Sequence, residues 1–338
     1  MTLLPFSGYD CVPAELGMWL VGSALQEEND HDDCGGNGKG VVTLGKLELN
    51  FGGKGGGLPR GTIETILNSI EGKYQPTRQD SDPRFYPLEY RKTAKDALSI
   101  SHFLLPKYQL GQFTGPNLMS GVNVPVLCRA ASTFGHFSVS GGGGAEGGGS
   151  ARSELTISDK SVFVSNPSLL NGYGLIGSTL YISVLVMSGV AAMIPPFRSW
   201  LRRRLQTYSF NGDPTGKVYL HAKGSSAMIV GNDTPSSYAT AKCVFPGDAG
   251  IYATGLFAAS VATSLLEATT PISSSSSNNA MLPLAGFHSP VAALQVCRPG
   301  LLVERLTAIG AQIAVELVPR LGDNARVIDI TKLPRSKL

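Results

Sequence analysis

Charged side chains are scarce in this sequence. They make up 16% of its 338 residues, whereas an average soluble domain has roughly 25%. The net charge of +3 is small, and no block of Lys and Arg alternates with aromatic residues, so the charge pattern argues against a nucleic-acid partner. A chain this poor in charge is expected to turn part of its surface towards lipid or towards another protein.

Cysteine is also rare and widely spaced. The five cysteines are Cys11, Cys34, Cys128, Cys243 and Cys297. An odd number without a Cys-x-x-Cys pair argues against a disulfide framework and a structural zinc site, and it fits a reducing compartment. His31 lies within the acidic residues 27–33, but such a run is more typical of a solvated loop than of a metal site. We therefore expect no metal centre.

The usual catalytic and cofactor-binding motifs are missing. The sequence contains neither Gly-x-Ser-x-Gly nor His-Glu-x-x-His, so no catalytic residue is assigned. A Rossmann unit needs a Gly-x-Gly-x-x-Gly turn between a strand and a helix. The glycine-rich residues 52–57 include Lys54 and lack an acidic residue at the distance that ribose requires. We expect them to form a turn rather than a phosphate site.

What the sequence does contain is a mixture of strand and helix patterns. Leu47, Leu49 and Phe51 alternate with polar residues, which predicts a strand over residues 41–51. Further strands are predicted over residues 154–164, 217–223 and 312–317, and helices over residues 249–267, over residues 300–309 and from a cap at Thr62. Strands and helices do not alternate strictly, so we predict an α+β fold in which a mixed β-sheet is flanked by helices.

Three polar segments interrupt these patterns. Residues 27–33 are acidic, residues 141–149 are nearly all glycine, and residues 273–279 are only Ser and Asn. None of them can bury enough apolar surface to order itself, so all three are predicted to be flexible surface loops.

The longest apolar run lies between Lys160 and Arg198, where there is no charged residue or histidine. Within it, residues 175–194 are long enough to cross the hydrocarbon layer as a helix. The predicted membrane-contact residues are Leu175, Ile194, Pro195, Pro196, Trp200, Arg202, Arg203 and Arg204.

In this prediction the two prolines end the helix, and the basic and aromatic residues suit a headgroup region. Residues 161–204 thus predict contact with a membrane or a lipid droplet, through an in-plane segment rather than a span. The alternative is a buried core helix, which the four glycines within or next to the run favour.

The chain ends with Ser336, Lys337 and Leu338, the tripeptide that the peroxisomal import receptor binds. The polar residues 331–338 are predicted to be a free targeting tail, so the expected location is the peroxisome or the related glycosome. A chance tripeptide is the alternative. A lipid droplet or a mitochondrial membrane would then be the location that the apolar segment favours.

The beginning of the sequence resembles a motif of the saccharopine dehydrogenase-like oxidoreductases, Gly-Phe/Tyr-Asp-Ser-x-Pro-x-Asp-Leu-Gly. Residues 8–17 read Gly-Tyr-Asp-Cys-Val-Pro-Ala-Glu-Leu-Gly. Two later segments are similar to further motifs of that family in the same order: residues 247–254, Gly-Asp-Ala-Gly-Ile-Tyr-Ala-Thr, and residues 286–293, Gly-Phe-His-Ser-Pro-Val-Ala-Ala. Residues 302–306, Leu-Val-Glu-Arg-Leu, resemble the motif before its final strand. We call the first three the opening, middle and late motifs.

The resemblance implies an NAD(P)-linked oxidoreductase of unknown substrate. In the family, the opening motif follows a nucleotide-binding domain. Here the resemblance therefore implies a truncated chain in which residues 1–25 are the end of the domain junction and residues 26–330 the C-terminal domain. The residues that it places beside the cofactor are Ser7, Gly8, Tyr9, Asp10 and Pro13.

Several alternatives stay open at this stage. The opening motif also has a structural interpretation, in which Asp10 caps a helix that runs from Pro13. We expect this chain alone not to bind NAD(P). A non-catalytic protein of the same fold, attached to a membrane or lipid droplet, is the other function class. Formation of a homo-oligomer is left open.

Overall fold

The computed structural model describes residues 2–3, 7–9, 11–32, 44–54, 60–72, 90–99, 101, 105–134, 155–162, 171–208, 211–226, 237–269, 286–287, 289–297, 300–318 and 326–328. Within these residues the strands are β1 Thr2–Leu3, β2 Leu44–Lys54, β3 Lys107–Gln109, β4 Gln112–Pro116, β5 Thr156–Ser161, β6 Lys217–Ser226, β7 Tyr238–Pro246, β8 Gly286–Phe287, β9 Gln312–Val318 and β10 Arg326–Ile328. The helices are α1 Val12–Asp32, α2 Arg60–Ile70, α3 Arg91–Ala97, α4 Ser120–Thr133, α5 Asn171–Met193, α6 Pro195–Gln206, α7 Tyr252–Thr269, α8 Pro290–Cys297 and α9 Leu301–Ala308.

Eight strands form one mixed sheet, in the order β10-β9-β7-β6-β2-β5-β4-β3. β2 and β5 are parallel, and the other neighbouring pairs of this sheet are antiparallel. One of its two central strands is β2, where Leu47, Leu49 and Phe51 are buried as the alternation predicts. The predicted α+β fold with a mixed sheet and flanking helices is therefore confirmed.

Helix α1 is the centre of the hydrophobic core. Residues 11–25 are all buried, and the helix packs against β6, β7 and β9 as well as against α4 and α8. A helix enclosed on several sides needs small or apolar residues around its whole circumference rather than on one stripe. The predicted domain boundary between residues 25 and 26 lies inside this continuous helix.

Gly17 allows α1 to lie close to the sheet. A Cβ atom at this position would lie 2.9 Å from Leu220 Cδ2 and 3.1 Å from Ala222 Cβ, both on β6. Separations this short are repulsive between carbon atoms, whose optimal distance is about 3.5–4.0 Å. A larger residue here would push the central helix away from its strand.

The acidic segment was predicted to be a loop, and this prediction is wrong for residues 27–32, because α1 continues to Asp32. Leu25 and the three residues that follow it, Gln-Glu-Glu, are strong helix formers, and a helix that is already nucleated extends through such residues at little cost. The predicted loops at residues 141–149 and 273–279 lie outside the described residues.

The glycine-rich turn and the helix cap also differ from the prediction. Gly52, Gly53 and Lys54 belong to β2, because this strand continues its pairing with β6 as far as Lys217. Helix α2 begins at Arg60, so Thr62 lies within its first turn and does not cap it. The backbone ladder to β6 holds these two glycines extended, which composition alone does not indicate.

We expect Gly17→Ala to lower the free energy of unfolding by about 1–3 kcal/mol, because the added methyl group overpacks the interface between α1 and β6. The matched control is Gly255→Ala in α7, where a Cβ would meet nothing within 4 Å. That substitution should raise the free energy of unfolding by roughly 0.5–1 kcal/mol through helix propensity. Urea denaturation followed by circular dichroism measures both, and a stabilising effect at Gly17 would contradict the packing argument.

Candidate membrane-contact site

Helix α5 is mostly apolar on the side that faces solvent, although Thr179, Ser183 and Ser188 are also exposed. Only 11% of residues 176–193 are buried, and within the described residues this is the one helix long and apolar enough to cross a membrane. Seven large apolar side chains are each more than half exposed; they are Ile176, Leu180, Val184, Met187, Val190, Met193 and Ile194. A surface helix of a soluble protein carries polar residues on this side. The alternative of a buried core helix therefore does not describe α5.

The opposite side of α5 is attached to the rest of the protein. Ser178 and Ala192 are buried, and they are separated by 192 − 178 = 14 positions, which is about 21 Å along an α-helix. At about 100° per residue, they lie within about 40° of each other around the axis. Helix α5 packs against β4, and Ala192 packs with Leu67 of α2 and Leu205 of α6. A helix attached along one side over this length presents its other side to solvent. We call this other side, with the exposed apolar side chains named above, the apolar strip.

The junction between α5 and α6 is fixed by Pro195, Pro196 and Arg198. The two prolines occupy the first positions of α6, where the missing N–H and the fixed φ of proline favour the start of a helix. Arg198 Nη1 donates to the carbonyl oxygens of Ala192 at 3.0 Å and Met193 at 3.1 Å. These carbonyls at the end of α5 are thereby satisfied. The two prolines thus separate α5 from α6, as the sequence predicts.

An ion-pair cluster joins α6 to α2. Arg202 donates to both carboxylate oxygens of Glu71, at 2.5 and 2.9 Å, and to Asn68 Oδ1 at 2.9 Å. Its Nε lies 3.6 Å from Glu64, and Arg198 Nε lies 3.4 Å from Glu71. The two-pronged arrangement of Arg202 and Glu71 is the stronger geometry for a guanidinium and a carboxylate. Sequence reasoning missed both acidic residues, which lie some 130 positions away from their arginines.

Arg203 and Arg204 are placed differently. Both are exposed, and within the described part of the chain neither has a carboxylate partner. The guanidinium carbon of Arg204 lies 5.8 Å from the centre of the Trp200 ring, and Trp200 is half exposed. Its ring also lies 5.5 Å from that of Phe197. The predicted headgroup residues thus divide into an engaged arginine, Arg202, and two available ones. Leu175 lies within α5, but its side chain is outside the described set.

The predicted cofactor-side residues lie at the entrance to α1. Ser7, Gly8 and Tyr9 are partly buried, and Pro13 is buried in the first turn of the helix. The carbonyl of Gly8 accepts the N–H of Val12 at 3.1 Å. Asp10 lies outside the described residues, so its predicted capping role is not described. These contacts fit the structural interpretation of the motif.

The structure brings the opening, middle and late motifs together. A Cβ atom at Gly8 would lie 3.0 Å from Thr254 Cγ2 in the middle motif. Strand β1, just before the opening motif, pairs with β8 of the late motif. Residues separated by more than 240 positions in the sequence therefore form one packed unit.

Glu15 connects the opening and late motifs directly. Its carboxylate accepts the N–H groups of Val291 at 3.0 Å and Ala292 at 2.8 Å and the hydroxyl of Ser289. Desolvation in the core raises the pKa of Glu15 to about 7, although the three hydrogen bonds act in the opposite direction. Because the side chain is fully buried, we interpret it as a structural residue that caps the start of α8 and links this helix to α1.

A second buried polar group, which the sequence did not indicate, lies at β5. Asp159 accepts hydrogen bonds from Asn117 at 2.8 Å and Asn123 at 3.0 Å, and burial raises its pKa to about 6. The neighbouring Lys160 is buried, and desolvation lowers its pKa to about 8. Paired amides and a carboxylate of this kind hold α4 to the sheet. Among the described residues, no three His, Cys, Asp or Glu side chains group together as they would around a metal ion.

Comparison with known proteins gives no relative: no family model, no curated protein and no solved structure matches this chain.

We expect the contribution of Glu15 to stability to depend on pH. Its pKa in the folded protein, about 7, lies above the ordinary value of 4.5, so the folded state holds the extra proton between these values. The free energy of unfolding, relative to that of Glu15→Gln, should therefore fall by about 3 kcal/mol as the pH rises from about 4.5 to about 8. Urea denaturation at several pH values tests this. Glu304→Gln, at an exposed position of α9, is the control, and a pH-independent difference for Glu15 would contradict the prediction.

Proposed function

We propose that this protein is held at a lipid surface by α5 and α6, with α5 lying in the plane of the interface. The observation that supports this most is the solvent-facing side of α5, which is lined with large apolar side chains along its length. A helix with this exposure in water is typical of segments that bury one side at the boundary of headgroups and acyl chains. Attachment along the other side argues against a span, because a spanning helix would have to leave β4 and α2.

The energy available from this contact is sufficient for reversible attachment. Burial of a complete Leu, Ile, Val or Met side chain contributes about 1.5–3 kcal/mol, so each half-exposed side chain contributes roughly 1 kcal/mol. The seven exposed apolar residues, six in α5 and Ile194 directly after it, together supply about 7 kcal/mol. A second copy of the chain could cover the same side of α5 in a dimer, and the experiment below separates these two outcomes.

The second part of the proposal concerns family and chemistry. We propose that the chain is the C-terminal part of a saccharopine dehydrogenase-like oxidoreductase, on the strength of the ordered motifs in the sequence. The packing of Gly8 against Thr254 and of Glu15 against Ser289 supports treating these motifs as one unit. A non-catalytic lipid-surface protein of the same fold is the alternative. The exposed side of α5 supports this alternative as much as it supports a membrane-attached oxidoreductase.

The described residues do not form a binding site suited to NAD(P). Pro13 is buried within α1, the space beside Gly8 is occupied by the Thr254 methyl group, and residues 52–54 are part of a sheet strand. A dinucleotide site needs glycine N–H groups free at a helix N-terminus. We therefore derive no catalytic step for this chain, and NAD(P) enters the proposal only as the cofactor of the family it resembles.

Flotation with liposomes tests the lipid-surface proposal. We expect the intact chain to float with phospholipid vesicles and the variant Leu180→Asp/Met187→Asp to stay at the bottom of the gradient, because two carboxylates in the apolar strip cost several kcal/mol to bury. Leu266→Asp in α7 is the matched control, since Leu266 is 67% exposed and Leu180 is 64% exposed; this variant should float.

An intact chain that stays at the bottom of the gradient would contradict the proposal, because it does not bind lipid. If that chain is also a dimer by light scattering, and Leu180→Asp/Met187→Asp makes it a monomer, then a second copy covers α5.

We also propose that Ser336, Lys337 and Leu338 direct the chain to peroxisomes or glycosomes; these residues lie outside the described part. A fluorescent protein fused at the N-terminus, which leaves the tail accessible, should give a punctate peroxisomal signal. Leu338→Asp should make that signal diffuse, because it places a charge where the receptor takes an apolar side chain. A punctate signal that survives the substitution, or droplet-shaped fluorescence in the unmodified protein, would show that α5 determines the location instead.

A further inference from the structure

We infer that the lipid surface recognised by α5 and α6 is anionic, and that Arg203 and Arg204 are the residues that bind its phosphate groups. This inference rests on the proposed lipid-surface function and gives it a headgroup class. It follows from how the four arginines of α6 are divided between the protein and solvent.

Helix α6 carries four arginines and no acidic residue. Two of them are neutralised within the protein, because Arg198 and Arg202 face Glu64 of α2 and Glu71, which directly follows that helix. The other two, Arg203 and Arg204, keep exposed guanidinium groups. Two positive charges therefore remain available, one and two residues beyond Arg202.

The surroundings of these charges suit a membrane interface. Trp200 is half exposed, and the Arg204 guanidinium lies against its ring. Tryptophan is enriched at the level of lipid headgroups, and a guanidinium beside it is at the depth where phosphates lie. A guanidinium also binds a phosphate through two parallel N–H donors.

The charge argues for an anionic lipid rather than for a second copy of the chain. A copy would carry the same two unpaired arginines on its own α6, and like charges near the contact disfavour it. A free phosphate ion would satisfy the arginines but leave the exposed side of α5 in water. An anionic bilayer covers both features at once.

Vesicle sedimentation with two lipid compositions tests this inference: phosphatidylcholine alone, and phosphatidylcholine in which about a third is phosphatidylserine. Each Lys or Arg near an anionic surface contributes about fivefold in affinity, so we expect the intact chain to bind the anionic vesicles roughly 30-fold more tightly. The variant Arg203→Gln/Arg204→Gln should lose this preference and keep its affinity for neutral vesicles. Added salt should weaken only the anionic component.

Two control variants make the result specific. Arg91→Gln/Lys95→Gln removes two exposed charges from α3, which packs against β5 and α4, and should leave the preference unchanged. Lys242→Gln/Glu316→Gln removes an exposed ion pair between β7 and β9 without changing the net charge and should also preserve the preference.

The outcomes separate the inference from the proposed function. Equal binding of the intact chain to both vesicles overturns the anionic preference and leaves lipid attachment standing. A preference that survives Arg203→Gln/Arg204→Gln overturns the assignment of these two residues. Binding to neither vesicle overturns the inference together with the proposed function. In that case the intact chain and the Leu180→Asp/Met187→Asp variant both stay in the supernatant.

Discussion

Burial of α1 against the sheet is the interaction on which the rest of this structure depends. The helix contacts β6, β7 and β9 and also α4 and α8, so it connects the sheet to two of the flanking helices. Gly17 sets the distance between helix and strand, and Glu15 ties the helix to the start of α8. The opening motif that suggested a cofactor cleft thus lies at the entrance to the central helix, and its glycine, proline and carboxylate have packing roles there.

The α5–α6 unit stands apart from this core in its chemistry. It shares with α2 a small apolar cluster around Ala192 and the ion pairs of Arg198 and Arg202 with Glu71. The attachment therefore combines one packed side of α5 with charge pairs on α6. This leaves the apolar strip and two arginines as the surface that the unit offers. The same few contacts tie both helices to α2 and to each other.

Much of the fold could be predicted from local pattern, and most of the site could not. The alternation of Leu47, Leu49 and Phe51 predicts β2, because successive side chains of a strand point to opposite faces and this pattern is visible in neighbouring residues of the sequence. The apolar length of residues 175–194 marks α5 for the same reason. The pairing of Glu71 with Arg202 and of Glu15 with Ser289 depends on tertiary contacts between distant segments, and single-sequence patterns carry no signal for them. The acidic composition of residues 27–32 favours a solvated loop, but their helix propensity and the preceding turns of α1 extend the helix to Asp32.

The position of Arg198 has a consequence for the environment that α5 can enter. In a medium without water, each peptide carbonyl at a helix end that lacks a donor costs several kcal/mol. Arg198 supplies donors to Ala192 and Met193 at the C-terminal end of α5 while its charge is balanced by Glu71. The protein itself therefore supplies hydrogen-bond donors to two carbonyls at the end of α5 that water would otherwise satisfy. At the lipid surface proposed above, these two carbonyls would keep their hydrogen bonds where water is excluded.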